Sequence, residues 1–211
     1  MTQRTKIWLS SALVYAAFVF WYTDFSGPLS DAEVDQFVVT MTQNGSDPST
    51  VAYIETFLRN DSGRQFLMLN ALDLNDNPPD VEGAEPGESA QQLMDRYMEH
   101  MYPELFKRAS HPVIFGQAAY TVLDNVGIEN AEQWTDGAIF RYRSRRSFMD
   151  LIANPSLKGR HAFKLAALDK TIAYPIETSI YLGDMRLILG LILLSVTALL
   201  DSLLLARRPF S

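Results

Sequence analysis

The chain has 211 residues, of which 47% are hydrophobic, with a formal net charge of −7 and no cysteine. A negative net charge argues against general nucleic-acid binding, which needs a basic face. The lack of cysteine excludes disulfides, thiolate metal ligands and a thiol nucleophile. The length suffices for one ordinary domain together with two membrane helices.

The first predicted element is an uncharged apolar helix over residues 7–22. It would cover about 24 Å of a bilayer core that is about 30 Å thick. Trp21 and Tyr22 end it, where amphipathic rings favour the membrane interface, and Arg4 and Lys6 precede it. A cleaved signal peptide is the alternative, but the following sequence offers no small-residue cleavage site. We therefore expect an uncleaved transmembrane anchor.

A water-soluble α+β domain is predicted between the apolar ends of the chain. Residues 23–60 form a helical pair, in which Ser30 and Glu33 have the spacing of a capping box. Residues 61–180 then show the order strand, helix, strand, strand, helix, strand. The strands are predicted near 66–74, 112–121, 137–143 and 171–178, and the helices near 89–109 and 144–169. An open alternative for the second helix is a break at Asn154-Pro155, since the residue before proline disfavours the α region.

This βαββαβ order is typical of ferredoxin-like domains. Their two helices cover one face of an antiparallel sheet and leave the other face, which is apolar, to be buried. A second copy of the chain is the usual cover. The sequence therefore predicts a homodimer of the dimeric α/β-barrel type, with the helical pair added at its start.

The second apolar end, residues 187–206, spans about 30 Å as a helix and matches the bilayer core. Arg207 and Arg208 follow it. Basic flanks stay in the cytoplasm, which places residues 1–6 and 207–211 inside and the domain outside, in the periplasm of a bacterial inner membrane. Asp201, within this segment, is expected at the headgroups, in a helix pair, or in a polar contact with a partner helix.

Four arginines stand where the third strand meets the next helix: Arg141, Arg143, Arg145 and Arg146. The first two share one strand face. The last two fall at a helix N-terminus, which disfavours cations unless an anion is bound there. The cluster predicts an anion-binding site. The alternatives are a solvated surface or pairing with the acidic loop over residues 73–88.

A ligand pocket between sheet and helices is also predicted. Its candidate residues are Asn70, Trp134, Arg145, His161 and Lys164. His161 and Lys164 lie one helical turn apart, and a histidine there suits a general base or a ligand as well as an ordinary hydrogen-bonded helix residue. No metal-ligand spacing occurs, so no metal and no cofactor is predicted.

The residues around these candidates resemble a known family. The resemblance rests on Trp134-Thr135-Asp136 and on the run from Phe140 to Phe148, FRYRSRRSF. They are similar to a W-D-x(5)-R-Y-P-S-R strand-and-helix motif in small uncharacterised bacterial proteins of the dimeric α/β-barrel, ferredoxin-like superfamily. Similar matches follow in the next helix and in the first strand: Asn154-Pro155, His161, Lys164, Ala166-Ala167-Leu168 and Thr171, and Asp61, Gly63 and Met68-Leu69-Asn70.

The resemblance covers residues 61–178 and departs from the family pattern at three positions. Arg143 replaces the usual proline, Leu157 a frequent tyrosine, and Phe163 a frequent histidine. The resemblance implies no agreed reaction, since the wider superfamily includes monooxygenases, haem-degrading enzymes, isomerases and stress-related binding proteins. Fold analogy supports a pocket without defining its chemistry.

The predicted function is a membrane-anchored, dimeric accessory module. It would bind a small apolar or anionic ligand, or dock to a membrane-protein complex. The alternative is a small monooxygenase- or isomerase-like enzyme that uses Asn70, Trp134 and His161.

Overall fold

The structure is a computed structural model that describes residues 1–157 and 159–206. The chain forms two compact units. One contains Met1–Phe25 together with the chain from Thr178 onward, and the other contains Ser26–Glu177. Arg207 and Arg208, which flank the second predicted membrane span, lie outside the described residues.

The helices and strands follow one another as the α+β prediction requires. The helices are α1 (Gln3–Tyr22), α2 (Asp31–Gln43), α3 (Pro48–Arg59), α4 (Ala90–Lys107), α5 (Arg145–Ile152), α6 (His161–Ala167) and α7 (Met185–Ala206). The strands are β1 (Phe66–Leu74), β2 (His111–Gln117), β3 (Asp136–Tyr142) and β4 (Leu168–Ile176).

The four described strands form one antiparallel sheet in the order β2-β3-β1-β4. With α4 between β1 and β2, and α5 and α6 between β3 and β4, this is the ferredoxin-like arrangement. The predicted α+β class is thereby confirmed. Strand β1 has the bounds that its apolar run predicts, while β4 begins three residues earlier than predicted, at Leu168.

The main core lies between the sheet and the helices that cover it. Alternation along β1 directs Phe66 toward these helices, where it stacks on Tyr142 of β3, with ring centroids 5.1 Å apart. Met101 and Leu105 of α4 and Leu151 of α5 complete this cluster. Each fully buried side chain of this kind contributes about 1.5–3 kcal/mol.

The long helix predicted over residues 144–169 is divided in two. Helix α5 ends at Ile152, a short 3₁₀ turn covers Pro155–Leu157, and α6 begins at His161. The residue before a proline disfavours the α region, so the helix cannot continue through Asn154. Gly159, with φ +82°, supplies the left-handed backbone between the turn and α6.

The helical pair α2–α3 belongs to the core of this unit. Val34 and Leu58 pack on Met149 of α5, and all three are essentially inaccessible. Ser30 and Glu33 form the predicted capping box at the start of α2. The loop before α2 approaches Gly63 so closely that a Cβ there would lie 2.7 Å from the Gly27 carbonyl carbon.

The other unit is an antiparallel pair of helices, α1 and α7. Arg4, in the first turn of α1, forms an ion pair through its guanidinium with Asp201, near the C-terminal end of α7. Farther along, the hydroxyls of Ser11 and Thr197 share a hydrogen bond of 2.6 Å. Asp201 thus pairs with a residue of α1 in the same chain.

Helix α7 is long and apolar enough to cross a membrane, and only 11% of its apolar stretch is buried. Among the described helices, α1 does not reach that apolarity. The prediction of two spans is therefore supported for the C-terminal helix alone. Polar residues of α1, among them Arg4 and Ser11, lower its mean hydropathy.

Candidate functional site

A cavity of about 70 Å³ lies between the sheet and helices α4 and α6. We call it the sheet–helix cavity. The side chains around it are mainly apolar, with polar groups at a few points. They are Asn70, Leu72, Met94, Tyr97, Met98, Met101, Leu105, Ala138, Phe140, Tyr142 and Lys164.

Helix α4 supplies the flexible wall of the cavity. Its residues Met94, Met98 and Met101 recur at helical spacing, so they share the face that is turned toward the sheet. Methionine side chains are unbranched and polarisable, and they adapt to irregular shapes. This wall can therefore accommodate an apolar group without a fixed outline.

Two tyrosines and an asparagine contribute polar groups to the cavity. Burial raises the pKa of Tyr97 to about 12, and it also raises the pKa of Tyr142. Both phenols are therefore neutral hydrogen-bond donors near pH 7. The Asn70 amide nitrogen donates to the carbonyl oxygens of Met68 and Ala138, at 3.1 and 3.3 Å.

Lys164 brings a positive charge to the cavity wall. Its ammonium lies 6.0 Å from the centroid of the Tyr97 ring, and burial lowers the pKa of Lys164. One turn earlier on α6, His161 has its ring 6.3 Å from the same tyrosine. Burial, followed by the charge of Lys164, lowers the pKa of His161, so its neutral form is favoured near pH 7.

The structure brings together some of the five predicted pocket residues. Asn70 and Lys164 line the sheet–helix cavity, and His161 stands beside it through its contact with Tyr97. Trp134 and Arg145 do not line it. The Trp134 indole N–H instead donates to the carbonyl oxygen of Ala131 at 3.0 Å.

The first two arginines of the predicted anion site bind protein groups. Arg141 is inaccessible to solvent, and it donates to the Gln65 side-chain oxygen at 2.9 Å and to the Ala109 carbonyl oxygen. Arg143 donates to the Ser147 hydroxyl at 3.1 Å. A buried arginine of this kind holds chain segments together because its donors must all be satisfied.

The other two arginines, at the start of α5, face carboxylates. Arg145 lies 3.4 Å from Asp61 and 2.9 Å from Glu177, and Arg146 lies 2.7 Å from Glu33. None of these three carboxylates belongs to the acidic loop over residues 73–88, which was the alternative partner considered for the cluster. The actual partners flank β1 and β4 or lie on α2, and they act as the anions that a helix start with arginines requires.

Tyr97, Tyr142 and Met98 were missed as site residues by the sequence analysis. The helical spacing of α4 does place Tyr97 and Met98 on its buried face, but a buried face at this spacing usually indicates ordinary core. Only the gap left in the packing distinguishes a cavity from a core, and that gap has no sequence signal. Among the described residues, no group of three or more His, Asp or Glu side chains is arranged to hold a metal ion.

No protein-family model matches the chain, and no curated protein matches it. Solved structures do. The methylated RPA0582 protein shares 20% identity with this chain over 65% of its length and 95% of the other chain, with a TM-score of 0.52. A second structure, of the RPA0582 protein of unknown function from Rhodopseudomonas palustris, also shares 20% identity with this chain. The match covers 64% of this chain and 95% of the other, with a TM-score of 0.51.

A weaker likeness links the chain to a dimeric protein of unknown function and ferredoxin-like fold from Bacteroides fragilis. That match has 10% identity, covers 54% of this chain and 96% of the other, and has a TM-score of 0.33. At 20% identity, the likeness to RPA0582 shows a shared fold. It does not show that the two proteins share an activity. The fold neighbours are thus proteins of unknown function.

Proposed function

We propose that this protein is a membrane-tethered, homodimeric module that binds a small molecule in the sheet–helix cavity. The cavity itself carries the proposal. Binding sites for small molecules are concave and mostly apolar, with a few placed polar groups that orient the ligand. Here an apolar wall of three methionines faces Tyr142 and the ammonium of Lys164.

An uncovered apolar row across the sheet supports the dimer. On the face opposite the helices, the pairing register aligns Ile114, Ile139, Leu69 and Tyr174, one from each strand. Ile114 is 57% exposed and Tyr174 is 50% exposed. Large exposed apolar surfaces mark interaction sites, and a second copy of the same sheet offers a matching surface.

Light scattering of the full chain in mild detergent tests the dimer. We expect twice the protein mass for the wild-type chain and a single mass for Ile114→Glu, because a carboxylate would then be buried in the apolar row. Val39→Glu, an equally drastic change at an exposed residue of α2, should leave the dimer intact. A wild-type monomer at tens of micromolar would contradict the proposal.

The membrane part of the proposal is a helical hairpin with both chain ends in the cytoplasm. The apolarity of α7 supports a span, and the Arg4–Asp201 pair supports α1 as its companion, because such a pair satisfies both charges in an apolar setting. A periplasm-dependent reporter inserted after Ser46 should be active. An inactive reporter, with activity in a cytoplasm-dependent one, would reverse the orientation.

Ligand binding is tested by native mass spectrometry of the full chain purified in mild detergent. We expect a co-purifying small molecule that is lost in Ala138→Phe, because Ala138 is 3% exposed and lines the cavity. Ala118→Phe, at an exposed position just after β2, is the matched control and should retain the molecule. An empty cavity in a protein that purifies within a larger membrane complex would favour a docking module instead.

A second candidate function is a small isomerase- or monooxygenase-like enzyme. The observation that favours it is the neutral form of His161 beside the cavity, which suits a general base. Trp134, expected to take part, does not line this cavity. Absorbance of a haem or flavin in the purified chain, or turnover that disappears in His161→Gln, would support the enzyme over the binding module.

A further inference from the structure

Lys164 brings to the sheet–helix cavity a positive charge that no described residue balances. Within residues 1–157 and 159–206, no carboxylate forms an ion pair with the Lys164 ammonium, whose contact is the Tyr97 ring at 6.0 Å. Burying an ammonium without a counter-charge costs free energy. An anionic group from a ligand would remove that cost.

The surroundings of Lys164 indicate which anion fits. Tyr97 and Tyr142 line the same cavity, and apart from Asn70 the remaining lining residues are apolar. One ammonium together with neutral phenol donors balances a single negative charge. A phosphate carries more charge and is usually held by arginines, whereas the arginines near α5 are bound to protein groups.

The size of the cavity limits the rest of the ligand. At about 70 Å³ it is about half the size of an engineered cavity that holds benzene, although it opens to solvent on one side. The methionines of α4 supply an apolar part of its wall. The enclosed part of the occupant is therefore about three carbons by this comparison, and a longer apolar tail would extend through the opening.

We infer that the cavity binds a small monocarboxylate, with its carboxylate at Lys164 and the two tyrosine hydroxyls and its apolar tail against the methionines of α4. This inference rests on the proposed function, since it names the ligand class of the same cavity. It extends that function because the apolar wall alone would accept neutral molecules equally well. Lys164 is the residue that determines the preference.

Calorimetry on the full chain in mild detergent tests this inference with matched probes: hexanoate against hexanamide, and benzoate against benzamide. Each pair has the same shape and differs in charge. We expect the carboxylates to bind at least about tenfold more tightly than the amides, since hydrogen bonds to charged groups are the stronger ones. In Lys164→Met this preference should disappear, and in Lys164→Arg it should largely return.

Lys107→Met is the matched control, because the Lys107 side chain is 73% exposed at the end of α4. It should retain the preference for carboxylates. If amides and carboxylates bind equally to the wild-type chain, the ligand class is wrong while the binding function stands. If neither probe binds up to about 10 mM and no small molecule co-purifies, both the inference and the proposed function fail.

If neither probe binds because the cavity is already occupied, the chemical class of the co-purified ligand tests the inference. A carboxylate identified by mass spectrometry supports the inference, and a ligand without an acidic group overturns it. Circular dichroism of Lys164→Met must match that of the wild-type chain. If that variant fails to fold, the wild-type comparison of acid with amide still gives the answer.

Discussion

Replacing Asp61 by asparagine should strongly destabilise the unit formed by Ser26–Glu177. The Asp61 side chain is 1% exposed and links three parts of the chain. Its carboxylate accepts hydrogen bonds from the backbone N–H groups of Leu29 and Gly63, at 2.9 and 3.0 Å, and lies 3.4 Å from Arg145. The loop before α2, the approach to β1 and the start of α5 therefore meet at one side chain.

The expected magnitude follows from these contacts. Hydrogen bonds to a charged group contribute about 1.5–3 kcal/mol each, and removing one partner of a buried ion pair costs about 3–5 kcal/mol. Asparagine keeps one oxygen acceptor but turns an amide N–H₂ toward a backbone donor. We therefore expect Asp61→Asn to lower the free energy of unfolding by about 2–4 kcal/mol.

The assay is urea unfolding of the full chain in mild detergent, followed by tryptophan fluorescence and circular dichroism. Coincident transitions would justify converting the shift in midpoint into free energy. Asp31→Asn is the control: its side chain is 91% exposed, and its ion pair with Arg59 should contribute little. An Asp61→Asn chain that unfolds at the wild-type midpoint would refute the reasoning.

Three further predictions concern other features of the structure. The pKa of Glu33 is lowered from 4.5 to about 2, chiefly by the hydrogen bond from Arg146. The free energy of unfolding should therefore fall as the pH drops from about 4.5 to about 2, and Glu33→Gln should flatten that part of the curve of stability against pH. Gly63→Ala should lower the free energy of unfolding by about 2–4 kcal/mol, because the new Cβ would meet the backbone of Gly27 and Pro28 at a residue with positive φ. Gly116→Ala, where a Cβ would meet open space, should leave the free energy of unfolding unchanged. Because the chain has no cysteine, Ser11→Cys with Thr197→Cys should cross-link on mild oxidation in membranes, and a failure to cross-link would contradict the α1–α7 pairing.

The sequence predicts those parts of the fold that depend on local signals. The apolar run of β1, the Ser30–Glu33 cap and the break before Pro155 are each visible within a few residues, and each is found in the structure. Contacts between distant segments have no such signal. The carboxylates that meet Arg145 come from Asp61 and Glu177, on either side of it in the chain, and no spacing rule joins them.

The candidate site was predictable to the same extent. Asn70 and Lys164 could be chosen from the sequence because both lie in the stretches that resemble the family. A strand also turns every second residue, and a helix every third or fourth residue, to one face. Trp134 was assigned to the pocket as part of the motif that resembles the family, but its indole N–H donates to the Ala131 carbonyl oxygen in the loop. Loop residues have no periodicity, so their direction is determined only in the folded chain.

Charge pairing separates the residues that hold the fold from those left for a ligand. The arginines of the motif were the most conspicuous candidates, yet Arg141 is buried on protein acceptors and Arg145 lies between two carboxylates. Separating such a buried cation from its partners costs several kcal/mol of stability. These arginines are therefore poorly suited to bind a ligand in place of their protein partners. Lys164 is in the opposite situation, because its cavity offers aromatic and apolar contacts and no described counter-ion. The free energy that an unbalanced ammonium costs in the empty state is available to the anion that binds there, which makes Lys164 the first residue to test for function.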